Sequence, residues 1–167
     1  MLVLHATKKL RDRVKTIPGQ GSETSTTRLG DWYATAVFWR PQVCLFANEA
    51  TLLPVLVPLA PSATLAARFP DALSDVLAAH GATDEFIAAE RAEMGQVRLA
   101  KTSNRSVVGI MNEFTFLAEA YTDRRANPDL HGLSIRLAET PCGPLYKRHV
   151  SPDRELAAVL SQHPARP

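Results

Sequence analysis

The sequence predicts an α+β protein in which a small antiparallel β-meander, preceded by an N-terminal strand, packs against a C-terminal set of helices. Aliphatic, β-branched and aromatic residues concentrate in three short runs before residue 60. From Pro61 onward the apolar residues recur at helical spacing. A chain of 167 residues, 46% hydrophobic and 22% charged, can bury one core. We therefore expect a single domain over residues 1–162, followed by a frayed tail, 163–167.

The N-terminal segment predicts a strand, a short basic helix and a long loop. The apolar run Leu2–His5 suits a buried strand, and Thr7 can cap a helix over Lys8–Lys15. That helix carries one acid, Asp12, and its exposed positions are otherwise basic. The basic residues are Lys8, Lys9, Arg11, Arg13 and Lys15. Ile17–Gly30 is rich in Gly, Ser and Thr, which predicts a mobile loop that is either a functional lid or a tolerated insertion.

Three runs between residues 31 and 59 predict the meander. They are Trp32–Trp39, Val43–Asn48 and Leu52–Leu59, and the connections between them are short enough for hairpins. Large apolar residues on both faces of the first run indicate a central strand that is covered on both sides. Pro54 and Pro58 are four residues apart in the third run, so their backbone nitrogens face the same flank of the strand. Proline has no N–H group to donate, which predicts that this flank is unpaired and that the strand lies at an edge of the sheet.

The C-terminal part of the chain predicts a series of helices. The expected ranges are Ser62–Arg68, Pro70–His80, Glu85–Met94, Arg105–Tyr121, a helix from Asn127-Pro128 through Glu139, and one from Ser151-Pro152 to about Gln162. Thr83 or Asp84 starts the third of these helices, and Thr140–Pro144 breaks the fifth. Gln96–Ala100 alternates briefly and either adds a strand or spans to the next helix.

The stretch Lys101–Phe114 combines two basic residues, several helix-capping residues and a glycine inside a predicted helix, and no other stretch is so dense in residues that call for a structural or functional explanation. A plot of Arg105–Tyr121 at 100° per residue separates an apolar stripe from an opposite strip. We call the opposite residues the outer strip; they are Arg105, Gly109, Asn112 and Phe116, flanked by Ser106 and Glu113. A glycine inside a helix costs ~1 kcal/mol relative to alanine. Gly109 therefore indicates either close packing against another element, with Phe116 partly covered, or a notch for a ligand.

Polar and basic residues precede this helix. Thr102, Ser103 and Asn104 can cap its first N–H groups, and Lys101 and Arg105 flank them. A helix start with two cations is a candidate site for a phosphate or a carboxylate. The alternative is that Asn104 caps the helix while Arg105 pairs with a carboxylate elsewhere.

These residues also carry a family resemblance. The segments Lys101-Thr102, Asn104-Arg105-Ser106-Val107, Gly109 and Met111-Asn112-Glu113-Phe114 resemble a bacterial family catalogued as domain of unknown function 6933. The resemblance extends to residues 1–10, Leu29-Gly30-Asp31-Trp32-Tyr33, Asn48-Glu49, Thr51–Leu59 and Leu137–Cys142. The K-T-x-x-R-S-x-x-G-x-M-N segment is also similar to plasmid-borne open-reading-frame-three-like proteins, which implies mobile-element biology. Neither resemblance implies an activity.

Composition and spacing exclude several functional classes. The N-terminus places apolar residues before charges, the reverse of a signal peptide, and the longest apolar run, Leu52–Ala60, is too short for a membrane span. We expect a soluble, cytoplasmic protein with no membrane partner. Cys44 and Cys142 are expected to be free thiols, and neither they nor the five histidines show metal-ligand spacing. No metal and no cofactor are therefore expected.

Three functions fit these observations. The favoured one is binding of a phosphate-bearing ligand or nucleic acid by candidates near the two basic segments. These candidates are Lys101, Asn104, Arg105, Ser106, Gly109, Asn112, Glu113, His5, Lys8 and Lys9. One alternative is a small enzyme acting on phosphodiesters, with His5, Arg105 and Glu113 as acid, base and anion holder. The other is an antitoxin-like or immunity-type interaction module that uses the Leu52–Leu59 edge strand or the Phe116 face.

Overall fold

The computed structural model describes residues 1–15, 23–123 and 127–164, which form a mixed sheet with helices on both faces. The strands are β1 (Leu2–Ala6), β2 (Trp32–Val37), β3 (Val43–Asn48), β4 (Pro54–Pro58) and β5 (Val97–Lys101). The α-helices are α1 (Lys8–Val14), α2 (Leu65–Ala79), α3 (Asp84–Glu93), α4 (Arg105–Tyr121), α5 (Leu130–Ala138) and α6 (Pro152–Ser161). Short 3-10 turns cover Ser62–Thr64 and Gly143–Leu145. Within the described residues, no helix is both long enough and apolar enough to cross a membrane.

The strand order in the sheet is β4-β3-β2-β1-β5. The pairs β2–β3 and β3–β4 are antiparallel, which confirms the meander and the α+β class. The sheet as a whole is mixed, because β1 pairs in parallel with both β2 and β5. A parallel pair needs a crossover connection, and α1 lies in the connection between β1 and β2. The segment Gln96–Ala100, left open between strand and spacer, supplies the fifth strand.

Alternating residues of the strands supply two hydrophobic cores. On one face, Trp32 and Phe46 contact Phe69 of α2, with ring centroids 5.0 and 4.0 Å apart. On the other face, Tyr33 packs in a cluster with Phe114 of α4 and with residues of α5. All six residues of β2 are buried, which confirms that this strand is central and covered on both sides.

Two helices, α2 and α5, differ from the prediction by more than one residue at an end. Residues 65–79 form one helix with Pro70 inside it, where two separate helices were expected. The buried face of α2 runs on through Leu65, Phe69 and Leu73, so burial of a continuous apolar face outweighs the proline break. The helix α5 begins at Leu130 rather than at Asn127-Pro128, because Asp129 is its N-cap and accepts a 3.0 Å hydrogen bond from the Gly132 amide.

The edge position predicted for β4 is confirmed, but its free side is occupied. The Leu56 amide donates to Ser134 Oγ at 2.9 Å, and Arg68 Nη1 donates to the Pro58 carbonyl at 2.7 Å. From Leu52 to Leu59, every residue except Pro58 is buried. The apolar side chains of the Leu52–Leu59 run therefore belong to the protein's own cores, which removes them as a contact surface for a partner.

The predicted loop Ile17–Gly30 is described only from residue 23 onward, and the part before it lies outside the described residues. The described part is packed onto the sheet rather than projecting into solvent. The Val3 amide donates to Ser25 Oγ at 2.7 Å, and Glu90 of α3 accepts hydrogen bonds from the Arg28 and Leu29 amides at 2.8 and 3.3 Å. This part of the loop is thus a fixed connection.

Candidate functional site

A polar cluster lies on the α4 side of the sheet, where β1 and β2 run side by side. His5 stacks on Tyr33, with ring centroids 4.6 Å apart and planes 16° apart. Its Nε2 lies 2.8 Å from Asp31 Oδ2, and its Nδ1 lies 3.0 Å from the Lys101 carbonyl oxygen. Carboxylate and carbonyl oxygens only accept hydrogen bonds, so the ring satisfies both when each of its nitrogens carries a hydrogen.

The Asp31 carboxylate is engaged on both oxygens. Its Oδ1 accepts a 2.8 Å hydrogen bond from the Ser25 amide. Burial raises the pKa of Asp31, but the hydrogen bonds from His5 and Ser25 outweigh burial and leave the net pKa below its ordinary value. In this arrangement both ring nitrogens of His5 and both carboxylate oxygens of Asp31 already have hydrogen-bond partners within the protein.

The helix α4 begins beside Tyr33 and is capped by the protein itself. The Asn104 amide donates to Tyr33 Oη at 3.1 Å. Asn104 Oδ1 accepts hydrogen bonds from the Ser106 and Val107 amides at 3.0 and 3.4 Å, and its Nδ2 donates to Glu49 Oε1 at 3.4 Å. The interpretation of Asn104 as the helix cap is confirmed. An anion at this helix start would have to displace the Asn104 side chain and lie close to the Glu49 carboxylate.

The outer strip of α4 is open surface. Arg105, Gly109, Asn112 and Phe116 are all exposed, as are the flanking Ser106 and Glu113. A Cβ built on Gly109 meets no atom of the described residues within 4 Å, and Phe116 is 72% exposed. The interpretation that Gly109 serves close packing, with Phe116 partly covered, is therefore wrong. The ligand notch stays a prediction.

The structure does not gather His5, Arg105 and Glu113 into one compact acid–base set. Arg105 and Glu113 are eight residues apart on α4, which is ~12 Å along the helix axis. Glu113 lies near Cys142, where burial and the Glu113 charge raise the pKa of the thiol to about 11. His5 instead makes its contacts with Asp31, Tyr33 and Lys101.

The basic face of α1 is formed as predicted. Lys8, Lys9, Arg13 and Lys15 are exposed, and Arg11 is half-buried. Lys8 pairs with Asp12 at 2.7 Å, but both side chains are largely exposed. Ala6 is in register with Lys101, so the exposed Lys101 lies beside the strand end from which α1 starts. Three of the predicted site residues, Lys8, Lys9 and Lys101, thus occupy the same end of the sheet.

A groove at the same end of β2 was missed by the sequence analysis, which placed Phe38 and Trp39 within a covered strand. The strand β2 ends at Val37, and Phe38 is 52% exposed. A groove of about 320 Å³, which we call the aromatic groove, is lined by residues of the β2–β3 connection and of α4. Among them are Phe38, Trp39, Arg40, Pro41 and Glu119. The sequence signal was Pro41 shortly after these two aromatic residues, because proline cannot donate a hydrogen bond that continues a strand.

Residues 3–155 match the family model described as Domain of unknown function (DUF6933). The chain belongs to this family. The DUF6933 match includes α1, the polar cluster, the aromatic groove and the first turn of α6. No curated protein and no solved structure matches the chain.

Several residues in the segments that resemble the DUF6933 family hold the fold of this member together. Asn48, fully buried, donates to the Leu29 carbonyl at 2.8 Å and accepts hydrogen bonds from the Ala50 and Thr51 amides at 3.1 and 2.9 Å. Asn48 therefore holds the turn between β3 and β4. Together with Asp31 and Asn104, it fixes the junction between the loop, the sheet and α4, whereas α1 and the outer strip of α4 face solvent.

Proposed function

We propose that this DUF6933 protein binds a phosphate-bearing ligand, in particular nucleic acid, through the basic face of α1 and the adjoining Lys101. The observation that carries the proposal is the concentration of charge. The eight residues Lys8–Lys15 hold five basic side chains and one acidic one, a formal charge of +4, whereas the whole chain carries +2. The rest of the chain is therefore net negative, and the positive potential is localised at one end of the sheet.

The chemistry of this surface suits phosphate groups. Arginine and lysine side chains attract a polyanion, and neutralising its charges releases condensed counterions, which drives binding at low salt. Four of these five cations are exposed, whereas Arg11 is half-buried, and the one carboxylate among them is already paired with Lys8. His5 does not touch the ligand in this proposal; it positions Lys101 by contacting the Lys101 carbonyl oxygen through its Nδ1. The start of α4, filled by Asn104, takes a smaller part than its sequence suggested.

The two other functions have less support in the geometry. An enzyme using His5 as acid or base needs a free ring nitrogen, and both nitrogens face acceptors. An interaction module using Leu52–Leu59 needs exposed apolar side chains, and that run is buried except at Pro58. Phe116 remains exposed and could still contact a partner.

Equilibrium titration by fluorescence anisotropy tests the proposal. Labelled DNA and RNA oligonucleotides and a labelled nucleoside triphosphate are titrated between 50 and 300 mM salt, where binding through several phosphate contacts weakens steeply, with a slope of about −0.7 to −0.9 per phosphate on a log–log plot. The variant Lys9→Glu should weaken binding about tenfold or more at low salt. Arg154→Glu, the same charge change at an exposed position on α6, is the matched control and should change little. Absence of binding at 50 mM salt, or equal effects of the two variants, would refute the proposal.

A further inference from the structure

The aromatic groove adjoins the basic face of α1. The Arg13 guanidinium lies 5.1 Å from the centroid of the Phe38 ring, so a residue of the basic face contacts a residue that lines the groove. Arg40 lies on the groove's wall, two residues from Phe38. Exposed aromatic surface and cations are thus continuous across α1 and the β2–β3 connection.

We infer that the aromatic groove binds one unstacked nucleobase, so that the nucleic acid held by α1 is single-stranded. This inference rests on the proposed function and specifies its ligand class. A base could stack on Phe38 or Trp39 while its flanking phosphates lie against Arg13 and Arg40. In a duplex the bases are already stacked and paired, so none is available to enter the groove.

The dimensions of the groove favour a single planar group. Its volume of about 320 Å³ lies at the low end of the ~300–1,000 Å³ typical of small-molecule pockets. Trp39 is half-buried, and its ring N–H donates to Glu119 Oε1 at 3.4 Å, which fixes the indole at the groove wall. Phe38 projects beyond the end of β2 and keeps 52% of its surface exposed. The half-buried indole and the projecting phenyl ring thus present flat aromatic surface at the groove.

Charge complementarity selects the occupant. An apolar partner protein would bury Phe38 against its own side chains but would leave Arg13 and Arg40 desolvated without counter-charges. An acidic peptide would neutralise the cations but has no general need of flat aromatic surface. A single-stranded nucleic acid supplies both a π-face and a phosphate for each residue, and cation-flanked aromatic platforms are how such strands are held without sequence preference.

The substitution series at Phe38 separates stacking from general apolar contact. Phe38→Trp keeps an aromatic ring, whereas Phe38→Leu keeps an apolar side chain but removes the ring. We expect Phe38→Leu to weaken binding of a 12-nucleotide single strand about 5- to 100-fold, and Phe38→Trp to stay within about threefold of the unmodified protein. Tyr146→Leu, at another exposed aromatic outside the groove, is the matched control and should leave binding unchanged. Thermal melting confirms that each variant is folded.

Tryptophan fluorescence provides a local readout. The protein has two tryptophans, of which Trp32 is fully buried and Trp39 lines the groove. Saturating single strand should quench the fluorescence of Trp39, and in a Trp39→Phe variant, which keeps only the buried Trp32, this quenching should be absent.

The same titrations with a hairpin duplex of matched composition separate this inference from the proposed function. Single-strand binding at least tenfold tighter than duplex binding, with the Phe38 pattern above, supports the inference. Equal binding of both forms, or a Phe38→Leu variant that binds normally, overturns it and leaves the proposed function standing. Absence of any nucleic-acid binding overturns both. Tighter binding of a poly-glutamate peptide than of the single strand also overturns it.

Discussion

Replacing Gly109 by alanine should stabilise the protein. Gly109 lies inside α4, and a Cβ added there meets nothing within 4 Å in the part of the chain that the structure describes, so no clash with that part opposes the change. Alanine is favoured over glycine inside a helix by ~1 kcal/mol, chiefly because it restricts the unfolded chain. Since the added methyl group touches no other side chain, helix propensity alone decides the outcome. We expect the free energy of unfolding to rise by about 1 kcal/mol, which for a chain of this size corresponds to a Tm increase of roughly 2–4 °C.

Gly132→Ala in α5 is a matched comparison. There the new Cβ would meet the Asp129 carboxylate, which caps α5 through the Gly132 amide. The gain in helix propensity is then offset by disturbance of the cap, which is itself worth ~1 kcal/mol. We expect a net change near zero at this second site.

Urea denaturation followed by circular dichroism, together with differential scanning calorimetry, measures both variants. A Gly109→Ala variant less stable than the unmodified protein would refute the reasoning, because it would mean that something covers the outer strip. Loss of ligand binding by a fully stable Gly109→Ala variant would instead support the predicted notch. In that case the glycine leaves room for a ligand rather than for the fold.

Three further substitutions probe the polar interior. Asp31→Asn should cost about 1–3 kcal/mol at neutral pH, since the charged hydrogen bond to His5 is lost. The folded pKa of Asp31 lies below its unfolded value, so the stabilisation that Asp31 provides is complete above the ordinary pKa of 3.8 and disappears as the pH falls through the folded value. Urea titrations at several pH values should therefore show the stabilities of the unmodified protein and the Asp31→Asn variant converging in acid. A difference in stability that stays constant with pH would contradict this. Asn104→Ala should lower the free energy of unfolding by about 1 kcal/mol because α4 loses its N-cap. Amide hydrogen exchange should become faster only in the first turn of α4, and an unchanged exchange rate there would count against the cap. Asn48→Ala should cost about 2–4 kcal/mol, since it strands buried partners such as the Leu29 carbonyl, and a loss below about 1 kcal/mol in calorimetry would show that the turn is held by other contacts.

Local patterns were sufficient to predict the elements whose stability is local. The range of α4 was predicted to the residue, because its apolar side chains recur every three to four positions and Asn104 supplies a cap. The strand β5 could not be assigned from its own five residues, because it is a strand only through pairing with β1, 95 positions earlier. Pro70 misled for a related reason, since its effect depends on whether the surrounding helix face is buried by the sheet.

The part of the candidate site that lies within one short segment was predicted, whereas the contacts between distant segments were not. The charges of α1 lie on one short helix and could be found by counting. The contact of His5 with Asp31 depends on the parallel register of β1 and β2, which no spacing in the sequence encodes. The exposure of Phe38 depends on where β2 ends, and strand ends are set by neighbouring strands more than by the residue itself.

The position of β1 between β2 and β5 has a consequence for synthesis of the chain. A nascent polypeptide can pair its N-terminal strand with β2 as soon as residue 37 is available, but the other side of that strand waits for residues 97–101. Until then, its backbone amides and carbonyls on that side have no strand partner, and such open surfaces recruit strands from other molecules. Translation products that stop before residue 97 therefore leave one side of β1 open for pairing with another molecule, whereas products that extend past Lys101 pair β1 on both sides.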